Sequence, residues 1–356
     1  MLSRVWRRVV QALHRRARKL TARLDRWALD RPTSDLVARL LYGLVKPSFN
    51  REQRAVHAGR RRYEQLRQQP DRSSAILRRN THRIEKGLIS RPRRDVFAED
   101  YIGETVEMLR RCAESGVWPE ELAWAHDVLE EYFCAVRRTP RIEQALRAYQ
   151  DVNFPVASHP DRNPRRAPYR RPDASLLPSY ESLLELARRR RSVRWFDGRP
   201  VPREMLEAAF EVAALSPSAC NRQPFRFHVF DDPKLLPEVA RLPPGTHGFE
   251  HNFPCIIAVV GQLRHYFLEQ DRHVIYTDAA LASMGFVLAL ETLGLSSCCI
   301  NWPDIEEVEQ AADAVLCLDA DERPVMFLAV GFPDAAQQVP YSEKRSLLNL
   351  IRYNFE

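Results

Sequence analysis

Between Asp151 and Ser179 the chain places Pro155, Pro160, Pro164, Pro168, Pro172 and Pro178 among several arginines and little hydrophobic periodicity. Proline removes a backbone donor and fixes its own φ, so neither a helix nor a central strand can run through such a stretch. The stretch therefore reads as an extended linker that divides the chain into two differently patterned halves. The expected divisions are a basic amphipathic helix over 1–31, a helical region over 32–150, the linker over 151–179 and a second domain over 180–356.

The first half has helical spacing throughout. Leu2, Val5, Trp6, Val9, Leu13, Leu20, Leu24 and Trp27 recur at three- and four-residue intervals, and arginine fills the opposite face of residues 1–30. Such a helix suits the headgroup layer of an anionic membrane, and it equally suits docking on its own protein with the basic face in water. Leu36, Val37, Leu40, Leu41 and Leu44 continue the pattern as a hairpin partner. From Ser73 a further helix leads to Gly87, which is expected to take the left-handed position after the helix end. Its segment Asn80–Leu88 carries His82 and Glu85 three residues apart, read as a structural hydrogen bond, and is a candidate for contact with a ligand pocket. Residues 100–149 read as two or three core helices.

The second half mixes periods. Phe225–Phe230, Pro254–Val260, Cys298–Trp302 and Val325–Val330 are strand-like runs, and Thr277–Leu293 is a helix apolar on most sides, expected to be buried and to face a second subunit in part. Strands among long helices give an α+β domain around a central sheet. No G-x-G-x-x-G occurs, which argues against a Rossmann nicotinamide domain.

Arg190-Arg191-Ser192-Val193-Arg194-Trp195-Phe196 offers guanidinium groups and a hydroxyl, donors suited to phosphate, although the first two arginines alone also fit a solvated face. It is followed by Ser216-Pro217-Ser218-Ala219-Cys220-Asn221-Arg222-Gln223-Pro224-Phe225, which sets amides on a proline-bounded turn. The pair resembles the flavin signature of the nitroreductase family, R-[RHK]-S-x-[RK]-x-[FY] followed by P-S-x-x-N-x-Q-P-[WF]. Two later elements are similar to that family's, Leu293-Gly294-Leu295-Ser296-Ser297 after the apolar helix and Gly331-Phe332-Pro333 after the last strand. Ser296 replaces a family glycine, and Phe225 stands where tryptophan is common.

The resemblance implies a nitroreductase-like sheet flanked by helices, FMN held non-covalently between two copies of the chain, and a small-molecule substrate. By the same resemblance Arg190, Arg191, Ser192, Arg194, Lys344 and Arg345 meet the phosphate and ribityl chain. Pro217, Ser218, Asn221, Gln223 and Ser297 surround the rest of the cofactor. Hydride chemistry belongs to the flavin, so no catalytic acid, base or metal is assigned. The implied function is an FMN-dependent oxidoreductase reduced by NAD(P)H or another donor and oxidised by an organic acceptor such as a quinone or nitro compound. The alternatives are oxidation of a specific biosynthetic intermediate, or a non-catalytic membrane-peripheral scaffold that keeps the fold.

The net charge of +7 sits mostly at the N-terminus, and beyond the first helix the basic residues lack the interleaved aromatics and motif of a nucleic-acid reader, so no nucleic-acid partner is expected. Seven cysteines without paired spacing favour a reduced compartment, and adjacent Cys298 and Cys299 read as two small buried hydrophobes. Arginine interrupts the N-terminal apolar positions, which argues against a signal peptide. A cytoplasmic protein, peripheral at the inner face of a membrane, is expected.

Overall fold

A computed structural model describes residues 49–154, 165–171 and 177–354. The helix expected over 1–31, its hairpin partner and much of the linker lie outside these residues.

The helical region contains α1 (Asn50–Gln68), α2 (Ala75–Leu88), α3 (Ile102–Ser115), α4 (Pro119–Ala135) and α5 (Pro140–Gln150). Their starts follow from local chemistry. Ser74 caps α2 through Oγ to the Leu77 N–H, Thr139 caps α5 at Ile142, and Pro119 and Pro140 occupy first-turn positions where a missing N–H costs nothing. Their apolar faces meet in one core that includes Leu77, Ile84, Leu109, Leu122, Leu129, Tyr132 and Ile142. Gly87 departs from expectation: it lies inside α2, and Ile89 caps the helix in a right-handed conformation. A Cβ on Gly87 would come within 2.3 Å of the Phe97 ring, so glycine here permits close packing rather than a left-handed turn.

The second domain contributes α6 (Tyr180–Arg189), α7 (Arg203–Ala214), β1 (Phe225–Phe230), α8 (Leu236–Ala240), β2 (Cys255–Gln262), α9 (Val274–Thr292), β3 (Ser296–Asn301), α10 (Glu306–Leu316) and β4 (Glu322–Gly331). All four expected strands form one antiparallel sheet in the order β1-β2-β4-β3. The fully buried β2 and the largely buried β4 occupy the centre, as the apolar runs over 255–260 and 325–330 require. Successive side chains of these strands alternate between two cores. Ile256, Ala258 and Val260 join Trp302 and Phe327, while Cys255, Ile257 and Val259 join Phe286 and Leu290 of α9.

Glu269–Thr292, the stretch that ends in α9, is long enough to cross a bilayer and contains 18 residues with a mean hydropathy of 1.5, yet half of those are buried within the fold. It is the domain's core helix. It packs beside α7, and Leu281 and Met284 on its outward face stay in solvent, as do Val212 of α7 and Leu215 just past that helix's end.

Cys298 and Cys299 follow the strand period and not their common apolarity: Cys298 is buried and Cys299 is exposed on edge strand β3. Ser296 replaces glycine without strain because it lies in extended backbone opposite Gly331, and Gly294 takes the left-handed position at φ 78°.

The two halves are joined by charge. Arg51 of α1 reaches Glu309 and Asp313 of α10, Arg60 pairs with Glu269, and Arg78 of α2 reaches the loop before β1.

Candidate functional site

The Arg-Ser-Arg segment begins where α6 ends. Arg190 caps that helix through its N–H to the Leu186 carbonyl, and the chain then runs extended beside β3. Val193 and Phe196 turn into the core and fix the register. The Val193 N–H donates to the Ser297 carbonyl at 3.0 Å, and Ser192 forms a parallel bridge with Ser297. Asn252 clamps the segment from outside: its Nδ2 donates to the Arg194 carbonyl at 2.9 Å and its Oδ1 accepts from the Phe196 N–H at 2.9 Å.

Ser192 and Arg194 are thereby left on the half-buried outer side. Arg194 lies 5.8 Å from the Phe249 ring centre and lines a cavity of about 260 Å³ with Cys298 and Cys299. Arg190 has a buried Nε with no hydrogen-bond partner among the described residues, and Arg191 spends one nitrogen on the Arg190 carbonyl. A buried guanidinium donor left unmade costs free energy, and an anion beside it would recover that cost. The donor set of this segment therefore fits the phosphate of the flavin that the resemblance implies.

The second motif forms a strained turn. Cys220, Asn221 and Gln223 all adopt left-handed backbone, with φ of 53°, 52° and 50°. Each such residue other than glycine costs roughly 1–2 kcal/mol, least for asparagine, so the turn persists only because its surroundings hold it. Ser218 Oγ accepts from the Gln223 N–H at 3.1 Å, and Gln223 Nε2 donates to Asn221 Oδ1 at 3.0 Å. Asp278 of α9, almost fully buried, accepts from the Ala219 N–H at 3.0 Å and the Tyr266 hydroxyl at 3.1 Å through one oxygen. Burial raises its pKa, and these two bonds partly offset the rise. From the helical region, Arg78 Nε donates to the Asn221 carbonyl at 2.9 Å while its Nη1 pairs with buried Glu121 at 3.1 Å.

The hydrogen bond from α2 to this turn comes from Arg78, just before the segment Asn80–Leu88 singled out in the sequence. His82 and Glu85 form a pair at 3.4 Å, and Glu85 also accepts from the Trp124 indole.

The two motifs lie at opposite ends of α9. Asp278 holds the turn near the helix N-terminus, whereas Glu291 near its C-terminus faces Arg189 at 3.7 Å and Ser296 Oγ at 3.0 Å. At about 1.5 Å per residue the two points are about 20 Å apart. Strand spacing agrees: the turn precedes edge strand β1 and the arginine segment flanks edge strand β3, about 24 Å away diagonally across the sheet. A five-carbon ribityl arm does not cover that span.

Among the expected site residues, one chain thus gathers Arg190, Arg191, Ser192, Arg194 and Ser297 at one end. Pro217, Ser218, Asn221 and Gln223 are together at the other. Lys344 and Arg345 lie in an exposed C-terminal segment with local contacts, Lys344 N–H to Glu343 and Arg345 to the Asn349 carbonyl. Sequence reasoning missed Asn252, Asp278 as an anchor, and Arg78 as the bridge. A lone aspartate inside an otherwise apolar helix was the available signal for Asp278. Asn252 offered none, because its role depends on a contact 58 residues away in sequence.

Known proteins resemble the second half of the chain. The sequence model of the Nitroreductase family matches residues 187–244 and 241–332. Iodotyrosine deiodinase of Thermotoga neapolitana is 28% identical over 196 residues, covering 48% of this chain and 97% of that protein. A protein provisionally named NADH dehydrogenase/NAD(P)H nitroreductase from Methanothermobacter thermautotrophicus is 24% identical, over 42% of this chain and 77% of its own length. Among solved structures, an FMN-dependent nitroreductase from Clostridium difficile R20291 superposes with a TM-score of 0.42 at 21% identity, over 48% of this chain and 99% of its own.

Proposed function

Residues 187–332 form a nitroreductase-family domain, the domain of a flavin oxidoreductase, and from that premise we propose that the chain is an FMN-dependent oxidoreductase acting as a homodimer. The observation that carries the cofactor reading is the buried, unpartnered Arg190 Nε within a segment of three arginines and a serine that Asn252 and Ser297 hold rigid. Arg190, Arg191, Ser192 and Arg194 would hold the phosphate. FMN, when bound, supplies hydride acceptance from NAD(P)H or another donor and hydride delivery to an organic acceptor, a quinone or nitro compound. The protein's own part is to bind and orient. Asn221 and Gln223 would present amide groups to the ring edge, and Asp278 and Arg78 keep those amides in place.

The separation of the two motifs supports the dimer reading, since a second copy would bring its turn to the first copy's arginine segment. So does the exposed apolar surface of Leu281, Met284, Val212 and Leu215, and so do Leu347, Leu348 and Ile351 of the C-terminal segment, which carry apolar side chains into solvent. Lys344 and Arg345 would close on the phosphate once that segment docks. Residues 1–30 are proposed to attach the protein to an anionic membrane surface on its cytoplasmic side.

The test is an anaerobic titration of FMN-loaded protein. NADH or NADPH should bleach the flavin, and added quinone or nitro compound should restore its colour; loaded protein that no donor reduces and no acceptor reoxidises would refute the proposal. Leu281→Glu with Met284→Glu should yield a monomer that no longer retains FMN. A monomeric wild type with FMN bound would refute the shared site.

A further inference from the structure

The helical region and the second domain enclose a cavity of about 790 Å³ next to the strained turn. Arg72, Arg78 and Trp118 line it from one side, and Arg222, Arg226 and Phe225 from the other. The size suits an organic molecule more than a bare ion.

Its charges are unevenly spent. Arg78 is committed to Glu121 and the Asn221 carbonyl, and Arg264, also on the wall, is committed to Asp319 and Asp321. The guanidinium groups of Arg72 and Arg226 have no hydrogen bond or ion pair among the described residues. Arg222 stacks over Tyr266 at 4.5 Å and donates one nitrogen to the His265 carbonyl, but its Nε is buried and unpartnered. His265 adds no charge: burial first, then the neighbouring arginines, pulls its pKa down to about 3, and its Nδ1 lies 3.1 Å from the Arg222 carbonyl, which it can only approach as a donor. The acids on the wall are Asp71, Glu120 and Glu121, and Glu121 is already held by Arg78, Ser73 and Ser74. Arg72, Arg222 and Arg226 outnumber Asp71 and Glu120, which leaves net positive charge beside the apolar surfaces of Trp118 and Phe225.

We propose that this cavity binds the electron acceptor through an anionic group, with Arg222, Arg226 and Arg72 as its ligands and Trp118 and Phe225 against its apolar body. Gln223 belongs both to the cavity wall and to the turn assigned to the flavin ring, so a molecule anchored here reaches that turn. The inference rests on the oxidoreductase reading for the word acceptor; the anion site itself stands on the cavity. It gives the helical half a task, the selection of acidic acceptors.

Calorimetry separates the two. The full-length protein, with and without FMN, is titrated with 4-nitrobenzoate and with neutral 4-nitrobenzyl alcohol of similar size. The anion should bind at least about tenfold more tightly at low salt, and Arg226→Gln should remove most of that advantage while leaving the alcohol unchanged. Arg226 and Arg72 are both exposed and their guanidinium groups are unpaired among the described residues, so Arg226→Gln and Arg72→Gln retain the fold, whereas Arg222 is half-buried and stacked on Tyr266. Equal affinity for the two probes, or an anion preference that survives both Arg226→Gln and Arg72→Gln, overturns the proposal. In turnover, Arg226→Gln should raise KM for 4-nitrobenzoate and spare KM for NADH; a raised NADH KM alone would assign the arginines to the donor and overturn it too. Failure of the flavin reading would show instead as absent FMN uptake, with the calorimetric preference intact.

Discussion

Arg78→Met tests whether the helical half holds the cofactor turn. Methionine keeps an unbranched apolar stem beneath Trp124, whose ring the guanidinium faces at 5.4 Å, and removes only the charged fork. Two groups lose a partner. The Asn221 carbonyl loses its 2.9 Å donor, and Glu121, whose side chain is 4% exposed, keeps Ser73 Oγ at 2.7 Å and the Ser74 N–H at 2.9 Å. Breaking a buried ion pair by removing one member costs about 3–5 kcal/mol when the remaining charge is stranded. Here two hydrogen bonds remain, so the expected loss is about 2–3 kcal/mol. The effect on the site follows from the strain at Cys220, Asn221 and Gln223, which relaxes when an anchor goes. If re-forming the turn then costs about 1.4 kcal/mol, FMN binds about tenfold more weakly. Urea unfolding followed by circular dichroism gives the first quantity and quenching of FMN fluorescence gives the second. Arg78→Lys should fall between, since an ammonium cannot serve both partners in the fork geometry. An Arg78→Met protein with an unchanged urea midpoint and an FMN Kd within a factor of about two of wild type would refute the reasoning.

Asn252→Ala should weaken FMN binding with little change in secondary structure, because it frees the Arg194 carbonyl and the Phe196 N–H at a cost of about 1–3 kcal/mol each; equilibrium dialysis with circular dichroism checks this. Gly331→Ala should destabilise by about 1–3 kcal/mol, as its Cβ would sit 2.6 Å from Pro254 Cγ and 2.7 Å from Phe196 Cδ1, and thermal unfolding reads the loss. His265 has a folded pKa depressed to about 3, so the unfolded chain binds the extra proton and stability falls as pH drops from about 6.5 toward 3. By pH 5 this single group should cost up to about 2 kcal/mol, and His265→Asn, which can still donate to the Arg222 carbonyl, should flatten that part of the stability profile. Asp278 has the opposite sense: its pKa is raised, so its contribution falls as pH climbs through the carboxylate range, and Asp278→Asn should remove that slope in pH-dependent urea melts.

Much of the fold could be read locally. The apolar runs within β2 and β4, the alternation of β1, the apolar wheel of α9 and the proline-bounded starts of α4 and α5 each follow from a window of a few residues. The sheet order could not, because β4 lies between β2 and β3 through contacts among residues 25 to 75 positions apart. Gly87 was misread because a glycine near a helix end suits either a left-handed cap or a close approach, and only Phe97 decides between them. Cys299 was misplaced because composition suggests burial while strand period dictates the face. The two flavin motifs were legible as residue types in order. Their distance from one another was not, since it depends on the length of α9 and the width of the sheet.

The most direct measurement is the visible absorption spectrum of the purified, FMN-supplemented protein after gel filtration, beside that of Arg190→Ala with Arg194→Ala. A flavin spectrum that travels with the wild type, is released on denaturation and is lost from the folded double variant is the predicted result. A wild type that emerges colourless, or a double variant that keeps its flavin, would contradict the account.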